Sequence, residues 1–188
     1  MSFLEKKTFL YAERDEEKRQ KFIENINGLN PQKIVYLDES GFDTHEKYKY
    51  GWGKIGEKIF DEKKGSKGER INMIAALDSE KKLFAPLLFM GSCDTGIFND
   101  YVEHTLLPAL DVGSIVILDN ARFHTASDIE ILLAKKGCTV HFLPPYSPDL
   151  NPIEEYWSPI KNDLRKKFMK DQKNPLQAVV EVFKKRSN

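Results

Sequence analysis

Three acidic residues stand where a fold can do chemistry with them. Asp38 closes the run Ile34-Val35-Tyr36-Leu37, and Asp119 closes Ile115-Val116-Ile117-Leu118. Each run is short, apolar and bounded by polar residues, the pattern of a fully buried strand. A carboxylate at the C-terminal end of such a strand sits where open α/β sheets bind ligands and carry out reactions. The third acid, Glu154, follows the proline-rich segment from Pro144 to Pro152, on the first turn of a predicted helix. Positions 120–153, 34 residues, separate Asp119 from Glu154. Three carboxylates brought together repel, which raises at least one pKa unless a cation lies among them.

A single acid at a strand end is most often a solvated cap; the order and spacing of all three carry the reading. Glu155 is the rival of Glu154. One residue along a helix is about 100° of rotation, so only one of the two faces a common site. Glu39 and Asp149 are expected to be local hydrogen-bonding or capping residues. His45, His104 and His141 carry no functional expectation.

The segments Leu37-Asp38-Glu39-Ser40, Leu118-Asp119-Asn120-Ala121-Arg122-Phe123-His124 and Tyr146-Ser147-Pro148-Asp149-Leu150-Asn151-Pro152-Ile153-Glu154 together resemble the catalytic core of DDE transposases. The resemblance is narrower to the mariner-like superfamily, in the branch carried by bacterial insertion sequences, and covers residues 5–170. It implies cleavage of DNA strands at element ends and their transfer into target DNA, by a protein of the bacterial cytoplasm that assembles as a homodimer on DNA. Asp38, Asp119 and Glu154 are then the catalytic, metal-binding triad. Asp38 bridges two Mg²⁺ ions, replaceable by Mn²⁺, and the other two acids hold one ion each. Two such ions about 3.5–4 Å apart serve the attacking and the departing oxygen of a phosphodiester, and Mg²⁺ favours hard oxygen ligands. Two other readings stay open: a ribonuclease-H-like nuclease without strand transfer, and an inactive DNA-binding remnant. Full-length relatives carry a helix-turn-helix region ahead of the catalytic domain. The 37 residues before Asp38 are too few for one, so end recognition is expected of a separate region.

The remaining chain must position these groups. Asp15 to Ile26 has Arg19, Phe22, Ile23 and Ile26 at helical spacing, with acids at its start. Ile71 to Leu77 and Leu83 to Phe89 read as a hairpin with a polar turn. Thr95 to Leu110 is an amphipathic helix ended by Pro108. Ala126 to Lys136 is a helix stopped by Gly137. Thr139 to Leu143 is a further strand. Asn151 is the expected N-cap of the last catalytic helix, with Pro152 at its first position, and Pro159 predicts a kink or an early break. Three antiparallel strands followed by alternating helix and strand give an α/β, ribonuclease-H-like mixed five-stranded sheet flanked by helices. Right-handed crossovers set the Asp119 strand beside the Asp38 strand. The expected division is a helical entry segment over 1–32, the catalytic domain over 33–170 and a basic helical tail over 171–188.

Composition argues against some classes. No apolar stretch approaches the roughly 18–20 residues of a membrane span. Cys93 and Cys138 lack metal-site spacing and read as reduced, half-buried thiols. Net charge is zero, unlike most DNA-binding domains. Local asymmetry runs the other way: Lys161 to Arg186 holds nine basic residues against three acids. Within it Lys161, Arg165, Lys166 and Lys167 are candidates for phosphate contact, the alternative being a solvated helical face. Asn120 and Arg122 are further candidates for DNA contact. His124 either bonds a phosphate or an acid of the site, or is structural. Tyr48, Tyr50 and Trp52 alternate as a strand would, and aromatics interleaved with lysine also suit base stacking.

Overall fold

The computed structural model describes residues 13–43, 58, 70–119, 126–170 and 175–186. Helix α1 (Glu16–Asn27) is started by Asp15, whose side chain accepts the Lys18 N–H. Strands β1 (Ile34–Asp43), β2 (Arg70–Leu77) and β3 (Leu83–Met90) follow. The β2–β3 turn is built on Asp78, whose Oδ1 accepts the backbone N–H groups of Glu80 at 2.9 Å and Lys82 at 2.8 Å. Next come α2 (Thr95–Tyr101), a π-helical stretch (Val102–Leu106), and α3 (Leu107–Ala109). The chain continues through β4 (Ile115–Leu118), α4 (Ala126–Ala134), β5 (Thr139–Phe142), α5 (Glu154–Lys170) and α6 (Pro175–Arg186).

The strands form one five-stranded sheet in the order β3-β2-β1-β4-β5. β1 runs antiparallel to β2 and parallel to β4, and β4 runs parallel to β5. This is the expected mixed sheet, with the Asp38 and Asp119 strands adjacent. One boundary differs: β1 does not end at Asp38 but continues to Asp43. Its parallel pairing with β4 stops at Tyr36–Ile117, while its antiparallel pairing with β2 continues through Asp38–Ala75 to Asp43–Arg70. Asp38 therefore lies just past the point where one neighbour leaves. Nearby, a Cβ at Gly41 would lie 2.5 Å from the Arg70 guanidinium and 2.6 Å from Asn72 Oδ1, so a larger residue there would push those two side chains aside.

Side chains alternate across a strand, and this sets the two faces. Val35, Leu37, Ile74, Ala76, Val116 and Leu118 pack beneath Phe98, Tyr101, Leu106, Ile129 and Leu133. On the other face Ile71, Met73, Ala75 and Leu77 meet Ile153, Trp157, Ile160 and Leu164 of the α5 region and Val179, Val182 and Phe183 of α6. Ile34, Ile117 and Leu143 extend that side toward Phe22, Ile26 and Leu29. Asp38 has the parity of Ile34 and Tyr36, and Asp119 that of Ile117. Both acids thus belong to the side covered by α5 and α1.

Two helix expectations change in detail. Thr95 to Ala109 is helical throughout but widens to π geometry ahead of Pro108, and Lys136 Nζ donates to the carbonyls of Leu107 at 2.9 Å and Pro108 at 3.1 Å. A lysine from the turn after α4 thus satisfies terminal carbonyls that have no helical partner. Pro159 does not break α5, which runs on to Lys170. It falls in the second turn, where a missing N–H removes only one intrahelical bond next to four that no helix makes. Gly137 stops α4 as expected. Its φ is +68°, and Cys138 N–H bonds Leu133 O at 3.1 Å, the reversal that only a left-handed residue permits. Both cysteines are unpaired; Cys138 is buried and Cys93 half-buried.

Candidate active site

Asp38, Asp119 and Glu154 line one cavity of about 260 Å³. Its other walls are Leu143, the loop from Pro144 to Pro148, and Asn151. Asp38 lies in the middle of β1, Asp119 follows the last residue of β4, and Glu154 is the first residue of α5. Two prolines hold the loop extended before Tyr146, which turns the chain with φ +55° and leaves its ring half exposed. A non-glycine residue in that region is held there by its surroundings.

The three acids feel one another. Burial pushes the Asp38 carboxyl up to about 7, and the charges of Glu154 and Asp119 add to it. A hydrogen bond from Trp157 works the other way: Nε1 donates to Asp38 Oδ2 at 2.7 Å. Burial also raises the Glu154 carboxyl, helped by Asp119 and opposed by Lys161. Carboxylates gathered without a counter-cation push in the same direction as burial.

Trp157 was legible only as part of an apolar helical stripe. Its ring is buried, its edge meets Phe183 of α6 at 6.4 Å between centroids, and its N–H fixes one oxygen of Asp38. α6, read from sequence as part of a basic tail, is thus what backs the tryptophan that orients an acid. Another residue is missed more instructively. Arg19 is 4% exposed, and its Nη1 and Nη2 donate to the two carboxylate oxygens of Asp149 at 3.1 and 2.7 Å. Asp149 is therefore no local cap; it ties the loop ahead of Glu154 to α1, and Arg19 holds its carboxyl below the usual range. The signal was present, since a charge on the stripe of Phe22, Ile23 and Ile26 needs a partner when that stripe is covered. Asp149→Ala leaves that guanidinium without its carboxylate and is expected to cost about 2–3 kcal/mol, read as a lower urea midpoint at unchanged slope.

The candidates for DNA contact divide. Asn120, Arg122 and His124 lie outside the described residues, as do Tyr48, Tyr50 and Trp52. Lys161 is half-buried and close enough to Glu154 to lower its pKa. Arg165 donates to Asn162 Oδ1 at 2.9 Å, Lys166 is exposed, and Lys167 is paired with Glu181. Glu155 is exposed and does not line the cavity, so the register chosen for the third acid places Glu154 there instead.

A model of the DDE superfamily endonuclease family matches residues 33–175. The chain belongs to that family. The match spans all five strands and the three acids. Among curated proteins, the Uncharacterized protein y4pE/y4sA of Sinorhizobium fredii is 30% identical over 87 residues, 45% of this chain and 62% of that one. Among solved structures, the mariner Mos1 paired end complex with Mg superposes with a TM-score of 0.64 at 17% identity, over 100% of this chain and 66% of that one. The HTLV-2 integrase catalytic core domain in complex with magnesium gives 0.53 at 14% identity, over 83% and 86%. The DDE fold is therefore shared with a transposase and an integrase core, and this chain spans just under two thirds of the first of these.

The donor set suits a hard divalent cation. All three side chains offer carboxylate oxygens, and the raised Asp38 and Glu154 carboxyls mark a cavity short of positive charge. Among the described residues no three acidic, histidine or cysteine side chains stand close enough to enclose an ion as they are. No described helix is long and apolar enough to cross a membrane.

Proposed function

We propose that this DDE domain is the catalytic part of a bacterial transposase, cutting DNA strands at element ends and joining them to target DNA. The carrying observation is that Asp38, Asp119 and Glu154 line a single cavity. The likeness to the Mos1 Strand Transfer Complex, TM-score 0.64, supports strand transfer over hydrolysis alone. Residues 33–170 form the catalytic unit in this reading, DNA is the partner, and two copies assemble on it in the cytoplasm.

Asp38, Asp119 and Glu154 are the residues that would hold Mg²⁺ or Mn²⁺. A bound pair of divalent ions would supply charge relief at phosphorus and activation of the attacking and leaving oxygens. The rest falls to the chain. Trp157 fixes the Asp38 carboxylate through Oδ2, with Phe183 packed against the indole. The Arg19–Asp149 pair anchors the loop that carries Tyr146 and Asn151 along the cavity wall. Lys161 offsets part of the negative charge at Glu154. Lys166 remains exposed on the outer side of α5 for phosphate contact.

The test incubates the chain with Mg²⁺, a duplex ending in a recessed 3′-hydroxyl and a labelled plasmid target. Joined product, lost in EDTA, is the expected result. Hydrolysis without joining would reassign the domain as a nuclease, and neither activity would sink the reading.

A further inference from the structure

Asn151 should cap α5, and it does not. The helix begins at Glu154, and it is the backbone carbonyl of Asn151 that accepts the Glu154 N–H, at 3.1 Å. Its own N–H goes to Pro148 O at 2.9 Å. The side chain is left over: the residue is 3% exposed, and Oδ1 is buried with no hydrogen-bond partner among the described residues. The same residue lines the cavity of the three acids. Burying an unbonded amide oxygen costs about 1–3 kcal/mol, and an apolar side chain of similar shape would avoid that cost. Buried polar groups are almost always satisfied, so an orphan in a functional cavity calls for a partner that arrives with the substrate.

The missing partner must be a donor, because the orphan is an acceptor. Once a cation lies among the three acids their carboxylates are ionised and donate nothing, and the Ser147 hydroxyl is already bonded to Pro145 O at 3.1 Å. A phosphodiester likewise carries no donor. The attacking hydroxyl does. We propose that Asn151 is a further catalytic residue whose side-chain oxygen, covered in this structure and turned into the cavity when DNA binds, accepts the hydrogen bond of the attacking group, a water in cleavage or a DNA 3′-hydroxyl in joining. This rests on the phosphodiester-transfer reading of the site. The bond points the O–H hydrogen at Asn151 and so leaves an oxygen lone pair directed at phosphorus. In the step itself the attacking oxygen bonds phosphorus and the bond to the leaving oxygen breaks. The attacker's proton passes to solvent, solvent returns one to the leaving oxygen, and Asn151 is unchanged.

Asn151→Leu separates this role from a structural one, with Asn151→Ala as a second variant should leucine fail to fit. Both are compared with wild type and Asp119→Asn by thermal melting and by single-turnover cleavage of a labelled duplex in Mg²⁺ across a range of DNA concentrations. The expected result is a melting temperature at or above wild type for the leucine variant. The saturating rate falls about 10- to 100-fold, the loss that misplacing one reacting group brings. The DNA concentration at half-maximal rate stays within about 2-fold, because uniform binding is untouched. A saturating rate like wild type, or a rate loss that tracks a lower melting temperature in both variants, overturns the inference while leaving the transfer reading in place. Wild type as inactive as Asp119→Asn would overturn that reading and this inference with it.

Discussion

Asp119→Asn and Glu154→Gln are each expected to lower metal-dependent cleavage by roughly 10³-fold or more while leaving the fold intact. The argument is electrostatic. Both residues are exposed where they meet the cavity, so neither substitution removes apolar packing. What is lost is a full negative charge from a donor set of three. Because the set acts as one, the double variant should be hardly worse than either single. Glu155→Gln is the internal control. Its side chain is exposed one residue further round α5 and outside the cavity, so it should keep most activity. Gel-based cleavage assays on all four variants, with melting curves alongside, decide the matter. Full activity in Asp119→Asn, or a dead Glu155→Gln beside an active Glu154→Gln, would reject the assignment.

How far the site could be read in advance follows from where its information is stored. The strand carrying Asp119 is local: four apolar residues and an acid, found over the same residues in the fold. The sheet order follows from crossover handedness, which no local sequence feature overrides. The length of β1 was not local. It depends on β2 continuing to offer hydrogen bonds past Asp38, on a partner strand 32 residues downstream in sequence at Arg70. Asn151 shows the opposite failure. Asn-Pro is an N-cap signature in isolation, but Pro148–Leu150 forms its own 3₁₀ turn and takes the Asn151 N–H, which shifts the helix start to Glu154. The Arg19–Asp149 pair joins residues 130 positions apart, and only the misplaced charge on α1 hinted at it. Trp157 gave no such hint, since an indole on an apolar stripe reads as core whether or not its N–H has work to do.

Burial of Asp38 beside the other acids makes a second large effect, on stability in the absence of metal. The folded Asp38 carboxyl holds its proton up to about 7, against an ordinary value of 3.8. Between those values the folded chain binds more protons than the unfolded chain, so stability falls as pH rises, and the loss is complete above the folded value. Glu154, raised as well, has the same sign. Asp149 has the opposite sign, because Arg19 lowers it, and its contribution is lost only on further acidification. At about 1.4 kcal/mol for each pH unit between the two values the ceiling for Asp38 is near 4 kcal/mol. Solvent reaching this half-buried group brings the expected loss to roughly 1–3 kcal/mol. In EDTA the wild type should therefore be less stable at pH 8 than at pH 6. Asp38→Asn should erase most of that difference and exceed wild type at pH 8, since the amide oxygen can still accept the Trp157 N–H that now reaches Oδ2. For a chain of this size each kcal/mol is worth about 2–4 °C. Added Mg²⁺ should raise the wild-type midpoint at pH 8 and leave that of Asp38→Asn nearly still, because ligand binding stabilises only a fold that binds it. Thermal melts at the two pH values, with and without Mg²⁺, read all of this; a wild type equally stable at both in EDTA, or an Asp38→Asn variant weaker than wild type at pH 8, would show that Asp38 is not the strained member of the triad.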